Sequence, residues 1–147
     1  VNKQRGTKNE SSAIELYEAE TGTTVEENNA KFYLCNLGDD ANPCYIGGYV
    51  DGLVKNKVIE VKCRRNRFFQ WTPKYEKVQI TAYMHVVGRT ECDLVQKYGG
   101  AICVSTHVFE PEYWQRVVGD VKRMWAKLTT IFDDEGAQDE LLQTVTL

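Results

Sequence analysis

The residues best placed to do chemistry together are Asp51, Glu60 and Lys62, all within the stretch 47–64, G-G-Y-V-D-G-L-V-K-N-K-V-I-E-V-K-C-R. Two β-branched runs, 49–54 and 58–63, flank Lys55-Asn56-Lys57, a polar connection suited to an antiparallel hairpin. Alternation along the second run puts Val58, Glu60 and Lys62 on one face and Ile59, Val61 and Cys63 on the other. With a turn of two or three residues, Asp51 falls nearly opposite Val61 or Lys62, and its carboxylate comes close to that of Glu60. Paired carboxylates beside backbone carbonyls supply the hard oxygens that Mg²⁺ or Mn²⁺ prefers. Lys62, about 7 Å along the strand from Glu60, can place an ammonium beside a metal-bound water or a scissile phosphate. A divalent cation plus a lysine is a combination that cleaves phosphodiesters. The plainer alternative is an ordinary hairpin whose outer face carries Glu60 and Lys62 as a solvated cross-strand pair.

The rest of the chain must decide between these readings. Its 147 residues fit one domain, 1–147, able to bury a real core, and 42% hydrophobic and 27% charged residues are ordinary for a soluble globular protein. No apolar run is long enough to span a bilayer and no signal peptide opens the chain, so an intracellular, non-secreted protein without a membrane partner is expected. Val1 stands where Met would, which suggests a processed or truncated product with a segment upstream. A net charge of −3 argues against coating nucleic acid by bulk charge but leaves room for a local basic surface. The five cysteines are odd in number and form no C-x-x-C, so they read as reduced, mostly buried small hydrophobes.

Residues 7–21 read as a helix with Ala13, Ile14, Tyr17 and Leu16 inward, ended by Gly22. Thr7 and Glu10 have capping-box spacing, so Glu10 either closes the helix start or aims at the Asp51/Glu60 pair as a third acid. A first strand is expected over 31–37 and an acidic loop, usually just solvated, over 38–43. In 63–71, C-R-R-N-R-F-F-Q-W, arginines alternate with aromatics; they either track a nucleic-acid strand or form a loop of solvated arginines and core aromatics. Thr72 as cap and Pro73 at the first position open a helix reaching about Val87, stopped by Gly88. Val78, Ala82, Met84 and Val86 supply its apolar contacts, and Glu76, Gln79 and Tyr83 share a face. His85 reads as a helix-face histidine. Residues 93–98 and 101–108 bracket Gly99-Gly100 as a second hairpin, whose apolar second run is expected at the centre of the sheet. Pro111 starts an amphipathic helix with Tyr113, Trp114, Val117, Val118, Val121, Met124, Trp125 and Leu128 as a core stripe, and 133–147 reads as a tail. The order is helix, strand, hairpin, helix, hairpin, helix: an α/β domain with a mixed sheet between helices (α-β-ββ-α-ββ-α).

Four separated pieces, R-G-T-K-N-E-S-S-A-I-E-L-Y-E, Y-V-D-G-L-V, I-E-V-K-C and K-V-Q-I-T-A-Y-M, fall in one order and spacing over residues 5–128. On these the chain resembles the PD-(D/E)xK nuclease superfamily, within it the phage lambda exonuclease and YqaJ-type viral recombination nucleases. The resemblance implies a single restriction-endonuclease-like domain. It also implies metal-assisted hydrolysis of DNA, at duplex ends in recombination or repair, using one or two Mg²⁺ ions with Mn²⁺ as substitute. Asp51, Glu60, the Val61 backbone carbonyl and Glu10 are then the metal ligands, Lys62 the motif lysine that positions or activates the water, and Gln79 the helix glutamine contacting Lys62 or the attacking water. Tyr83 matches an aromatic of that helix, and Arg5, Arg64, Arg65 and Arg67 are the contacts to the nucleic acid. A structure-selective endonuclease, an RNase or a silent nucleic-acid-binding module are the alternatives, and an annealing partner and homo-oligomerisation are compatible with the resemblance. A viral origin would place it in the host cytoplasm or nucleus. Two departures stand out: Val50 replaces the usual proline before the aspartate, and little of the upstream helical region that grips the DNA end is contained in the chain.

Overall fold

The computed structural model describes residues 2–26, 29–134 and 136, without the side chains of residues 2–8. The element order is α1 (Asn2–Thr21), β1 (Tyr33–Asn36), β2 (Tyr45–Gly48), β3 (Gly52–Val54), β4 (Lys57–Cys63), α2 (Lys74–Val87), β5 (Glu91–Tyr98), β6 (Ala101–Val108) and α3 (Pro111–Phe132). This is the expected α/β architecture with one strand more, β2, which pairs with β1 in a small sheet of its own. Packing divides the chain into two compact units, Val1–Cys35 with Gly47–Pro111, and Asn36–Ile46 with Glu112–Leu147.

In the first unit a four-stranded sheet runs β3-β4-β5-β6. The pairs β3/β4 and β5/β6 are antiparallel, while β4 and β5 are parallel, from Lys57↔Glu91 to Cys63↔Lys97. Parallel neighbours need a crossover, and α2 supplies it. Lys57 pairs with Val54, so the first hairpin turns on Lys55 and Asn56 alone, with Lys55 in the left-handed region at φ 46°. Both faces of the sheet are covered. Ile59, Val61 and Val95 pack with Ala13, Ile14 and Tyr17 of α1, whereas Val58 and Leu94 pack with Ile80 and Met84 of α2. That sandwich buries Glu60 to 4% exposure, which removes the solvated-hairpin reading of the Glu60/Lys62 face.

Several expectations need correcting. The helix expected from residue 7 begins at Asn2, so Glu10 lies inside α1 and has no capping-box role; its end at Gly22 (φ 68°) is as expected. The apolar run of β6 is an edge strand of its sheet and largely exposed, while the more polar β5 is interior and buries Asp93 and Gln96. Hydrophobic continuity signals burial of a strand only when nothing else meets its polar groups, and here Asp93 accepts hydrogen bonds from Tyr17 (2.6 Å), Thr106 (2.6 Å) and Lys57 (3.2 Å). Those bonds outweigh burial and hold its carboxyl below the usual range. Pro73 itself caps α2, while the Thr72 hydroxyl bonds to His107 Nε2 at 3.2 Å instead. Of α2's apolar residues the buried ones are Ile80 and Met84, not Val78, Ala82 or Val86. The cysteines are free, yet only Cys44 and Cys92 are buried.

In the second unit, Asn36 Oδ1 accepts from the amides of Gly38 (3.0 Å) and Cys44 (2.9 Å), and Asp39 Oδ1 accepts from Asn42 N (2.7 Å). The indole of Trp125 donates to the Pro43 carbonyl at 3.0 Å. The α3 stripe is core only at Trp114 and Val117; Met124 and Trp125 are 58% and 43% exposed. Amphipathic spacing guarantees a stripe, not a surface long enough to cover it. Most of the expected tail, 133–147, lies outside the described residues.

Candidate active site

The site forms where β3 stops. Pairing of β3 with β4 ends at Gly52↔Ile59, so one step further Asp51 stands level with Glu60, one residue short of the expected partner. Beyond that point the Val61 N–H has no β3 carbonyl to meet, and it donates to Asp51 Oδ2 at 2.7 Å. A short strand thus exchanges one ladder bond for a carboxylate fixed at the open edge of β4. Val50, the residue in place of proline, is fully buried against the α2 side and anchors the approach to Asp51.

Glu60 and Lys62 point to the α2 face. Lys62 Nζ donates to Glu60 Oε1 at 2.7 Å and to Gln79 Oε1 at 2.8 Å, and Gln79 Nε2 donates to the Tyr83 hydroxyl at 3.1 Å. One helical turn separates Gln79 from Tyr83, so both reach the same line of bonds. The Tyr83 ring lies against Gly48, where an added Cβ would stand 2.9 Å from its Cε1. Gly48 therefore permits the close approach that holds the tyrosine.

Electrostatics tie Glu10 to this group. Burial raises its pKa first, Asp51 raises it further, and Lys62 pulls it back. Burial likewise raises Asp51, against the Val61 amide and Lys62. Glu60 is pushed up to about 8 by burial and then by Asp51, with Lys62 opposing and Glu10 adding a smaller rise. Lys62 is disfavoured by burial, but Glu60, Glu76 and Asp51 more than compensate, so its pKa is raised and it stays an ammonium.

Among the described residues no three His, Cys, Asp or Glu side chains already stand in ion-holding geometry. The donor set nevertheless suits a hard divalent cation: two electrostatically coupled carboxyls, a third within electrostatic reach, and the backbone of Val61 at the same open edge. Asp51 raises both Glu10 and Glu60, a repulsion that a bound divalent charge would relieve.

The arginines separate into two groups. Arg64 is committed internally: NH1 and NH2 bind Glu76 at 2.6 and 2.8 Å, Nε binds Gln96 Oε1 at 2.8 Å, and the guanidinium stacks 3.9 Å from the Phe69 ring centroid. With the Arg64 side chain 8% exposed, it organises the site's edge and is not an open phosphate contact. Arg65 and Arg67 are exposed, and the side chain of Arg5 lies outside the described residues. Sequence reasoning placed Glu76 on a helix face and gave Gln96 no role. The only available signal was Glu76 three residues before Gln79 on one helix face. Glu76→Ala would leave the Arg64 charge buried and unmet, and is expected to destabilise the fold by about 3–5 kcal/mol in a urea titration; a change below about 1 kcal/mol would show the pair to be dispensable.

This topology has known counterparts. No family model and no curated protein matches the chain. Among solved structures it is similar to the alkaline exonuclease LHK-Exo from Laribacter hongkongensis, at 22% identity and a TM-score of 0.65 over 97% of this chain and 74% of that one. A second structure of LHK-Exo, in complex with dAMP, gives 23% identity and a TM-score of 0.66 over 97% and 73%. A phage-related exonuclease from Haemophilus somnus 129PT gives 14% and 0.59 over 88% and 73%. The fold is that of these exonucleases. At such identity the likeness speaks for the architecture, and the chemistry must be argued from the side chains. No helix among the described residues is long and apolar enough to cross a membrane.

Proposed function

We propose that the chain is a metal-dependent DNA nuclease of the PD-(D/E)xK type, an exonuclease that resects duplex ends in recombination or repair. The observation that carries this reading is the convergence of Asp51, Glu60, Lys62 and Gln79 at the end of β3, with Glu10 electrostatically coupled to them. The exonuclease fold supports it independently.

In this reading Asp51, Glu60, Glu10 and the Val61 carbonyl hold Mg²⁺, or Mn²⁺ in its place. When bound, the cation supplies Lewis acidity and activates water for attack on phosphorus. Lys62, held by Glu60 and Gln79, presents its ammonium to the charge that develops on the phosphate oxygens. Gln79 is oriented by Tyr83 and fixes the lysine head. Arg65 and Arg67, both exposed, hold the DNA backbone, so cleavage should weaken with salt.

Incubation with Mg²⁺ and linear duplex, closed circular and single-stranded DNA tests the proposal. Degradation confined to linear duplex and abolished by a chelator is the expected result. Nicked circles would replace the exonuclease with an endonuclease of the same fold, and cleavage of an RNA strand added in parallel would make it an RNase. Binding without cleavage in Mg²⁺ and Mn²⁺ would reduce the chain to a binding module.

A further inference from the structure

The loop between β4 and α2 is held far more firmly than a connection requires. Gln96, 5% exposed on β5, clasps Phe69 by both backbone groups: its Oε1 accepts from Phe69 N at 2.8 Å and its Nε2 donates to Phe69 O at 3.0 Å. The same Oε1 accepts from Arg64 Nε, and Arg64 stacks on the Phe69 ring while bound twice to Glu76. Phe68 meets Tyr98 edge to face, with centroids 5.9 Å apart. The inner aromatics are thereby pinned.

The outer ones are not covered. Trp71 is 70% exposed and Tyr75 67%, and with Phe68, Phe69 and Arg67 they line a cavity of about 450 Å³. That volume lies in the range of small-ligand pockets. Its lining contains a cation, no acid, and polar character otherwise only from Gln70 and the tyrosine hydroxyl. Large aromatics displayed on a rigid loop expose apolar area that the fold itself does not satisfy, which marks a binding surface. Rings around a single arginine suit a flat, aromatic, anionic ligand: a nucleobase with its phosphate. The loop begins two residues after Lys62, and Glu76, which holds Arg64 at the loop's start, also acts on the Lys62 charge.

We propose that the Trp71/Tyr75 cavity is a stacking subsite for an unpaired base of single-stranded DNA, with Arg67 on the adjoining phosphate. The base must be unpaired, because stacking between side chains needs a face that duplex DNA keeps within its own stack. The subsite rests on the nuclease reading for its substrate, but its test does not depend on cleavage.

Binding of the full chain to fluorescein-labelled oligothymidylate of about ten nucleotides, followed by anisotropy in EDTA, is compared with binding to an abasic strand of equal length and charge. The expected result is that Trp71→Ala and Tyr75→Ala each weaken oligothymidylate binding about 5- to 100-fold and leave abasic binding nearly unchanged. Both side chains are exposed, and unchanged circular dichroism would confirm intact folding. Unaltered oligothymidylate binding in both variants, equal losses on both strands, or no binding by the parent chain would each overturn the subsite. The two readings separate cleanly: a parent that cuts duplex ends while Trp71→Ala binds normally keeps the nuclease and loses the subsite. A parent that cuts nothing while Trp71→Ala loses base-dependent binding does the reverse.

Discussion

Lys62→Ala is expected to lower single-turnover cleavage at saturating Mg²⁺ by at least about 100-fold, the scale set by removing one preorganised charge donor from a hydrolytic site. The ammonium sits 2.7 Å from Glu60 and 2.8 Å from Gln79, and its raised pKa keeps it cationic throughout the working range. Folding should survive. Without Lys62 the Glu60 carboxyl loses the cation that opposes its burial, and it answers by holding its proton to still higher pH instead of remaining as an unmet buried charge. Circular dichroism would therefore match that of the parent. A folded variant with an unchanged cleavage rate would remove the proposed mechanism.

Glu60→Gln is expected to move activity and stability in opposite directions. Activity disappears, because a neutral amide is a poor ligand for a hard cation. Stability without metal changes with pH. The Glu60 pKa is raised from 4.5 to about 8 by burial, then Asp51, so between those values the folded state binds more protons than the unfolded one. Unfolding free energy then falls as pH rises through this window, and the full penalty is present above about 8. Glutamine carries no such penalty. In urea titrations with EDTA the variant should equal the parent near about pH 4 and exceed it by several kcal/mol near about pH 9. Millimolar Mg²⁺ should narrow that difference at high pH, since the cation stabilises only a chain able to bind it. Parallel curves at all pH values would show that Glu60 titrates normally and that the site lacks the coupling on which metal binding is argued.

The local pieces were legible because they depend on neighbours in sequence. Alternation in residues 58–63 fixes Glu60 and Lys62 on one face, Gly99-Gly100 closes the second hairpin, and Pro73 and Gly88 bound α2, whose Gly88 takes φ 71°. Helical spacing likewise puts Gln79 and Tyr83 on one line. The start of α1 escaped because Thr7 and Glu10 satisfy capping-box spacing equally well in a helix interior, where neither serves as a cap.

Nothing in the primary structure says which arginine of C-R-R-N-R is spent inside the protein. That depends on Glu76 from α2 and Gln96 from β5 arriving around Arg64, a meeting of three elements that are not sequence neighbours. The placement of β6 at the edge and polar β5 inside is of the same kind, since burying Asp93 required Tyr17 from α1 and Thr106 from β6. The amino-acid sequence by itself determined which acids and which amine are present and which of them share a strand face, through the fixed repeat of the backbone. Only the tertiary structure decided that β3 ends early enough for Asp51 to turn onto the Val61 amide and that Glu60 is buried. It also set α1 and α2 on opposite faces, because these outcomes depend on long-range packing, which local periodicity does not encode.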